Sequence, residues 1–288
     1  MAREDAWLQR VRPGDDPDKE PATLDTNVAY SARVNNYWRG GKDNFASDRA
    51  AAERAVRAFP QLPEAIRAGQ AFRRRVARYL VEEAGVRQFL DLGTGLPTAD
   101  TIYQIAESIA PGGRAVYVDN DPMVLSHARA LLSGSCAYVD ADLRDTAGIL
   151  AEAAHTLDFA EPVAVILSSI LHLIPDADDP YRIVGALMDR VAPGSQLVIV
   201  HPASDIRPEA SSEMAASLNR TMAQQRTYRD HAEVSRFFSG LELADPGVVG
   251  VPAWRPDSEA EASAPTMAWS GVARKPGGRL AAAAPGPG

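Results

Sequence analysis

The chain has 288 residues, 45% of them apolar and 24% charged, enough to bury a sizeable core in the manner of an ordinary globular protein. It contains no apolar run long enough to cross a bilayer as a helix, and its single cysteine, Cys136, excludes an internal disulfide and a cysteine-based metal site. A formal net charge of −8, with a pI near 5.2, repels nucleic acid overall, so neither a membrane nor a nucleic acid is the expected partner.

Residues 1–22, rich in Pro, Asp and Arg, have no sustained period and read as a mobile arm. Charge runs through this arm with no signal-peptide-like apolar stretch, which points to the cytoplasm. Residues 23–84 read as a helical cover. Breaks fall at "RGGK" and "FPQLPE", and Pro63 suits the first turn of a helix running to Gly85. In "NNYWRGGKDNF", Tyr37, Gly41 and Lys42 mark either a packed helix break or a lid that excludes water from a site. The basic cluster "RAGQAFRRRVAR" reads as a solvated helix face, because Ile66, Phe72, Val76, Tyr79 and Leu80 recur near helical spacing.

From residue 85 to 275 the pattern changes. "RQFLDL", "RAVYVD", "SCAYVDAD", "VAVILSS" and "SQLVIVH" are short runs rich in Val, Ile and Leu, as in strands buried on both faces. Helical stretches alternate with them: "TADTIYQIAESIA", "DPMVLSHARALL", "DTAGILAEAAHTL" and "DPYRIVGALMDRVA". Such alternation predicts crossover units and a doubly wound, mostly parallel α/β sheet. Beyond it come two more helices, within 208–225 and 229–240, and strand-like "LELADPGVVGV" and "TMAWSGVARK". The low-complexity tail, 276–288, reads as disordered.

Ligands of such sheets sit beyond the carboxyl ends of the strands. There "FLDLGTGLPT" breaks into a loop whose Gly93 and Gly95 let the backbone approach a ligand, with Thr94 between them and Pro97 opening a helix. A dinucleotide fingerprint would place glycine where Thr98 stands. Asp91, two residues before the first glycine, would repel a pyrophosphate and attract an ammonium group. A nicotinamide-dependent dehydrogenase is therefore disfavoured. Asp119 ends the second strand, where a carboxylate can accept both hydroxyls of a ribose. Asp142, after the third, suits an exocyclic amine or else a helix cap. Asp121 reads as the cap of the helix at Pro122, and Ser168 stands at the tip of the fourth strand. Three strand-end acids match an adenosine joined to an amino acid. The histidines show no metal-ligand spacing, so no metal is expected.

The motifs "FLDLGTGLPT", "VYVDNDPMVLSHAR", "ADLRD" and "SSILHLIPD" resemble those of class I S-adenosylmethionine-dependent methyltransferases. With "SARVNNYWRGGKDNFASDR", "GLELADPGVV" and "WRPD", the chain is more closely similar, over residues 28–275, to a bacterial family of S-adenosyl methyltransferases. The resemblance implies a Rossmann-like, seven-stranded sheet and S-adenosyl-L-methionine as cofactor. Asp91 and the backbone of Gly93, Thr94 and Gly95 would hold its methionine end. Asp119 would take the ribose, Asn120 the adenine face, and Asp142 with the Leu143 amide the adenine edge. Ser168 would lie near the sulfonium. His172 follows as candidate base, although many class I members keep a histidine there that only packs. The implied activity is methyl transfer to a small-molecule acceptor; the alternative is a non-catalytic protein that binds the cofactor or its demethylated product.

Overall fold

A computed structural model describes residues 24–96, 101–131 and 135–277. The expected arm, Pro97 and Thr98, and the tail from residue 278 lie outside the described residues. Five parallel strands stand where the apolar runs put them: β1 (Gln88–Leu92), β2 (Arg114–Asp119), β3 (Cys136–Asp140), β4 (Val163–Ser168) and β5 (Gln196–Pro202). Two-residue strands follow, β6 (Glu242–Leu243) and β7 (Val249–Gly250), and then β8 (Ala268–Arg274). Seven strands form one path, β3–β2–β1–β4–β5–β8–β6, with β8 antiparallel to β5 and β7 beside β8 as an eighth. The strand-like run 241–251 is thus two short pieces around a turn, because Pro246 has no N–H for a ladder and Gly247 takes φ +90°.

Both faces of the sheet are covered. On one, α6 (Thr146–Ala153), α7 (Pro180–Arg190) and α9 (His231–Arg236) bury Ile149, Leu187 and Val234 in a cluster with Leu90, Leu92, Val165 and Leu167. On the other, α3 (Leu62–Arg78) and α4 (Ile102–Ile109) bring Phe72, Val76 and Ile102 to Phe89, Ala115 and Ile166. Trp254 closes that side edge-on to Phe72, 5.6 Å between centroids. It also decides the basic cluster. Arg74 and Arg78 are exposed as a solvated face requires, but Arg75 is buried, its Nε donating to Trp254 O (2.8 Å) and its Nη1 paired with Glu261 (2.8 Å).

The N-terminal helices α1 (Ser31–Trp38) and α2 (Ala46–Ala58) build a third cluster with α8 (Pro208–Asn219), joining Val34, Ala51, Ala52 and Ala55 to Met214 and Leu218. Small alanines let α2 lie close to α8. A buried ion pair fixes the entry to this cover: Arg33 Nε lies 3.2 Å from Asp48 Oδ1, both side chains 0% exposed. Asp48 also accepts the backbone N–H groups of Tyr30 (3.0 Å) and Phe45 (2.8 Å).

Candidate functional site

Strand order reverses between β1 and β4, since β2 and β3 extend to one side and β5 to the other, and this puts the ligand crevice at their carboxyl ends. Asp91 is the one charged residue of β1. It shares the face of Phe89, toward α3, and is 9% exposed. None of the described residues donates a hydrogen bond to its carboxylate. Burial pushes its pKa from 3.8 up to about 7, the Arg73 and Arg39 guanidiniums pulling down and Asp119 pushing up.

The following loop is pinned to β2. The amides of Gly93 and Thr94 donate to Val118 O (2.8 and 3.3 Å), and that of Gly95 donates to Asp119 Oδ2 (2.8 Å). Both glycines have left-handed φ, +71° and +68°. A Cβ on Gly93 would collide with the Ile170 side chain, whereas one on Gly95 would meet none of the described residues. The second glycine is therefore where a ligand can approach the backbone. Asp119 also accepts the Asp121 N–H at Oδ1 (3.0 Å); burial raises its pKa against these backbone bonds. Asp121 caps as expected, accepting from the Met123 amide (2.9 Å) ahead of α5 (Pro122–Leu131). Asn120 is exposed beside it.

At the third strand end, Asp142 accepts the Arg144 amide (2.9 Å) and pairs with the Arg144 guanidinium (2.8 Å). The cap of α6 is Asp145, which accepts from Gly148 N (2.9 Å), so the cap alternative for Asp142 falls. Leu143 is buried next to it. Ser168 ends β4 half-buried, and Ser169 turns the chain at φ +60° with its amide on Val200 O (2.8 Å).

His172 lies beyond that turn, 6% exposed, its Nδ1 without a partner among the described residues. Burial, reinforced by the charges of Arg226 and Arg229, holds its pKa well below 6.5, so the ring is neutral. Tyr228 and His201 stand edge-on to it, each 6.2 Å away. Behind them Arg229, fully buried, donates to Leu171 O (3.0 Å), Ile174 O (2.9 Å) and Asp176 Oδ1 (2.7 Å). Its Nη1 also lies 3.0 Å from His201 Nε2, which must accept because His201 Nδ1 is 2.9 Å from Pro202 O. This arginine fixes the loop that carries His172.

Of the expected lid residues, Tyr37 reaches Glu53 (3.4 Å), Gly41 packs so closely on Asn36 that a Cβ would overlap it, and Lys42 is exposed. The contacts toward the site come from their neighbours. Arg39 bears on Asp91, and Asp43 lies 3.4 Å from His127 on α5. Arg39, Asp43, Arg226, Tyr228 and Arg229 were not singled out from the sequence; "RTYRD" in an acidic chain was the signal for the last three, and the first two lie inside "NNYWRGGKDNF". An open cleft of about 560 Å³ between Tyr79 and Arg274 includes Pro162 and Gly194, which precede β4 and β5, and so lies at the opposite edge of the sheet.

A family model described as S-adenosyl methyltransferase matches residues 17–276. The chain belongs to that family. A crystal structure of a DUF574 family protein from Streptomyces avermitilis is similar at 39% identity and a TM-score of 0.84, covering 88% of this chain and all of that one. A provisionally named methyltransferase from Thermobifida fusca is similar at 37% identity and a TM-score of 0.80, covering 90% and 99%. None of the curated proteins compared matches this chain. The family's cofactor is S-adenosyl-L-methionine, and the residues fit it: a buried carboxylate to which none of the described residues donates, a glycine loop whose second glycine faces none of them, and a second carboxylate at the end of β2.

Proposed function

We propose that this family member transfers the methyl group of S-adenosylmethionine to a small-molecule acceptor. The observation that carries the reading is Asp91, a buried acid whose carboxylate receives no hydrogen bond from the described residues, beside a glycine loop at the switch point of the sheet. When bound, the cofactor supplies an electrophilic methyl group on a sulfonium.

The chain's own part is binding and alignment, which supply much of the rate of a direct displacement. Asp91 receives the ammonium, while the backbone from Gly93 to Gly95 carries the rest of the methionine end. Asp119 takes the ribose hydroxyls and Asn120 flanks the adenine, whose edge falls to Asp142 and the Leu143 amide. Ser168 stands near the sulfonium. The lid around Tyr37, Gly41 and Lys42, together with α1 and α2, keeps water from the reacting centre. His172 shapes the wall there. A base with its pKa held so low is poorly matched to proton abstraction at neutral pH. The acidic surface and the cover favour a small molecule over nucleic acid as acceptor.

Calorimetric titration with S-adenosylmethionine, S-adenosylhomocysteine and NAD tests the reading. Binding of the first two and not of NAD is expected, as is loss of that binding in Asp119→Ala. Binding of NAD alone would overturn it.

A further inference from the structure

Against the loop that carries His172 lies a buried charge to which the cofactor reading gives no role. Arg226, between α8 and α9, is 9% exposed. Its Nη1 donates to Gln224 O (3.0 Å) and its Nη2 to Ser31 Oγ (2.8 Å), and neither partner is charged. The other buried arginines among the described residues each have a carboxylate: Asp48 for Arg33, Glu261 for Arg75 and Asp176 for Arg229. Arg226 has none among the described residues. A guanidinium keeps its proton, and a charge taken out of water without a counter-charge is costly.

Its position indicates what the counter-charge is. The next residue, Thr227, donates its amide to His172 O (2.8 Å), and Tyr228 stands edge-on to the His172 ring. Ser31 opens α1 of the cover. Arg226 therefore sits between the cover and the loop after β4. With its ammonium at Asp91, the cofactor would carry its own carboxylate toward Arg73 and Arg39, which act on that acid; the charge of Arg226 bears instead on His172 and Tyr228.

We propose that Arg226, with Ser31, Tyr228 and His172 around it, receives a carboxylate of the methyl acceptor, which is thus a small carboxylic acid. The planar fork of a guanidinium matches a carboxylate. One unpaired cation balances one negative charge, whereas a phosphate would leave an excess in a buried site. The proposal rests on the methyltransferase reading.

Protein saturated with S-adenosylhomocysteine is titrated with benzoate, 4-hydroxybenzoate, phenylacetate and hexanoate, each beside its primary amide. The acids are expected to bind, and the amides to bind roughly 10- to 100-fold more weakly, the loss of one charge-assisted contact. Arg226→Gln should abolish that preference with S-adenosylhomocysteine affinity unchanged. Arg226→Lys, which keeps the charge, should retain part of it. A thermal melt of each variant checks folding. Wild-type protein that does not prefer any acid to its amide overturns the proposal, as does a preference that survives in Arg226→Gln. Loss of S-adenosylhomocysteine affinity in a folded Arg226→Gln assigns the guanidinium to the cofactor and also overturns it. If wild-type protein fails to bind S-adenosylhomocysteine at all, the methyltransferase reading fails and takes the proposal with it.

Discussion

Asp91→Asn should make the protein more stable and less able to bind its cofactor. The folded state holds the Asp91 carboxyl at about 7 instead of 3.8. Between those values the native protein keeps a proton that the unfolded chain releases, so this group lowers stability as pH rises and its full cost stands above pH 7. That cost is about 4 kcal/mol at pH 8 and about 2 kcal/mol at pH 5. Asparagine has the shape of the protonated acid and carries no charge. The variant should exceed wild type by those amounts in urea unfolding, the gap opening by about 1.4 kcal/mol per pH unit before levelling near neutrality. Comparing the two proteins at each pH cancels the buried neutral histidines, His172 and His201, whose lowered pKa values act equally in both. Affinity for S-adenosylmethionine should fall roughly 10- to 100-fold, because the ammonium loses its charged partner. A variant no more stable than wild type at pH 8, or a gain that ignores pH, would refute the description of Asp91 as a desolvated acid held ready for a cation.

Four further outcomes are expected. Cofactor binding at pH 6 should release up to about one proton, since Asp91 must ionise to meet the ammonium, and little of this release should remain at pH 8; calorimetry in buffers of different ionisation enthalpy counts it. Gly95→Ala should cost only the left-handed backbone strain, roughly 1–2 kcal/mol. Gly93→Ala should cost about 1–3 kcal/mol more through overpacking on Ile170, and a double-mutant cycle with Ile170→Ala should return that excess as coupling. Arg229→Met should destabilise by about 3–5 kcal/mol in urea, because two carbonyls and His201 Nε2 lose their donor; a change below about 1 kcal/mol would contradict its anchoring role.

The sheet was legible where burial is two-sided. β1, β2, β4 and β5 are apolar runs buried on both faces, and a run of that kind has few alternatives, while β3 at the sheet edge alternates buried and half-buried residues. β6 and β7 are two residues each and partly exposed, so pairing with β8 defines them and no pattern of their own does. The placing of Asp91 and Asp119 at the carboxyl ends of their strands was legible too, since each is a charge closing an apolar run. What escaped depends on distant partners. Helical period could not single out Arg75, whose acceptor at Trp254 is 179 residues away. Nor could it show that Arg226 lacks an acid among the described residues, since that is a property of the packed structure.

The cover's core also says something about biosynthesis. Ala51, Ala52 and Ala55 present little more than methyl groups, too little apolar area to hold α1 and α2 in place alone. Their partner α8 begins about 150 residues after α2 ends. At roughly 5–20 residues per second, the ribosome takes on the order of ten seconds to deliver it. A nascent chain halted before α8 would hold the glycine loop and Asp91 but no docked cover. α1 and α2 are thus among the last of the described helices to settle, gaining their partner only after the parallel strands have been translated.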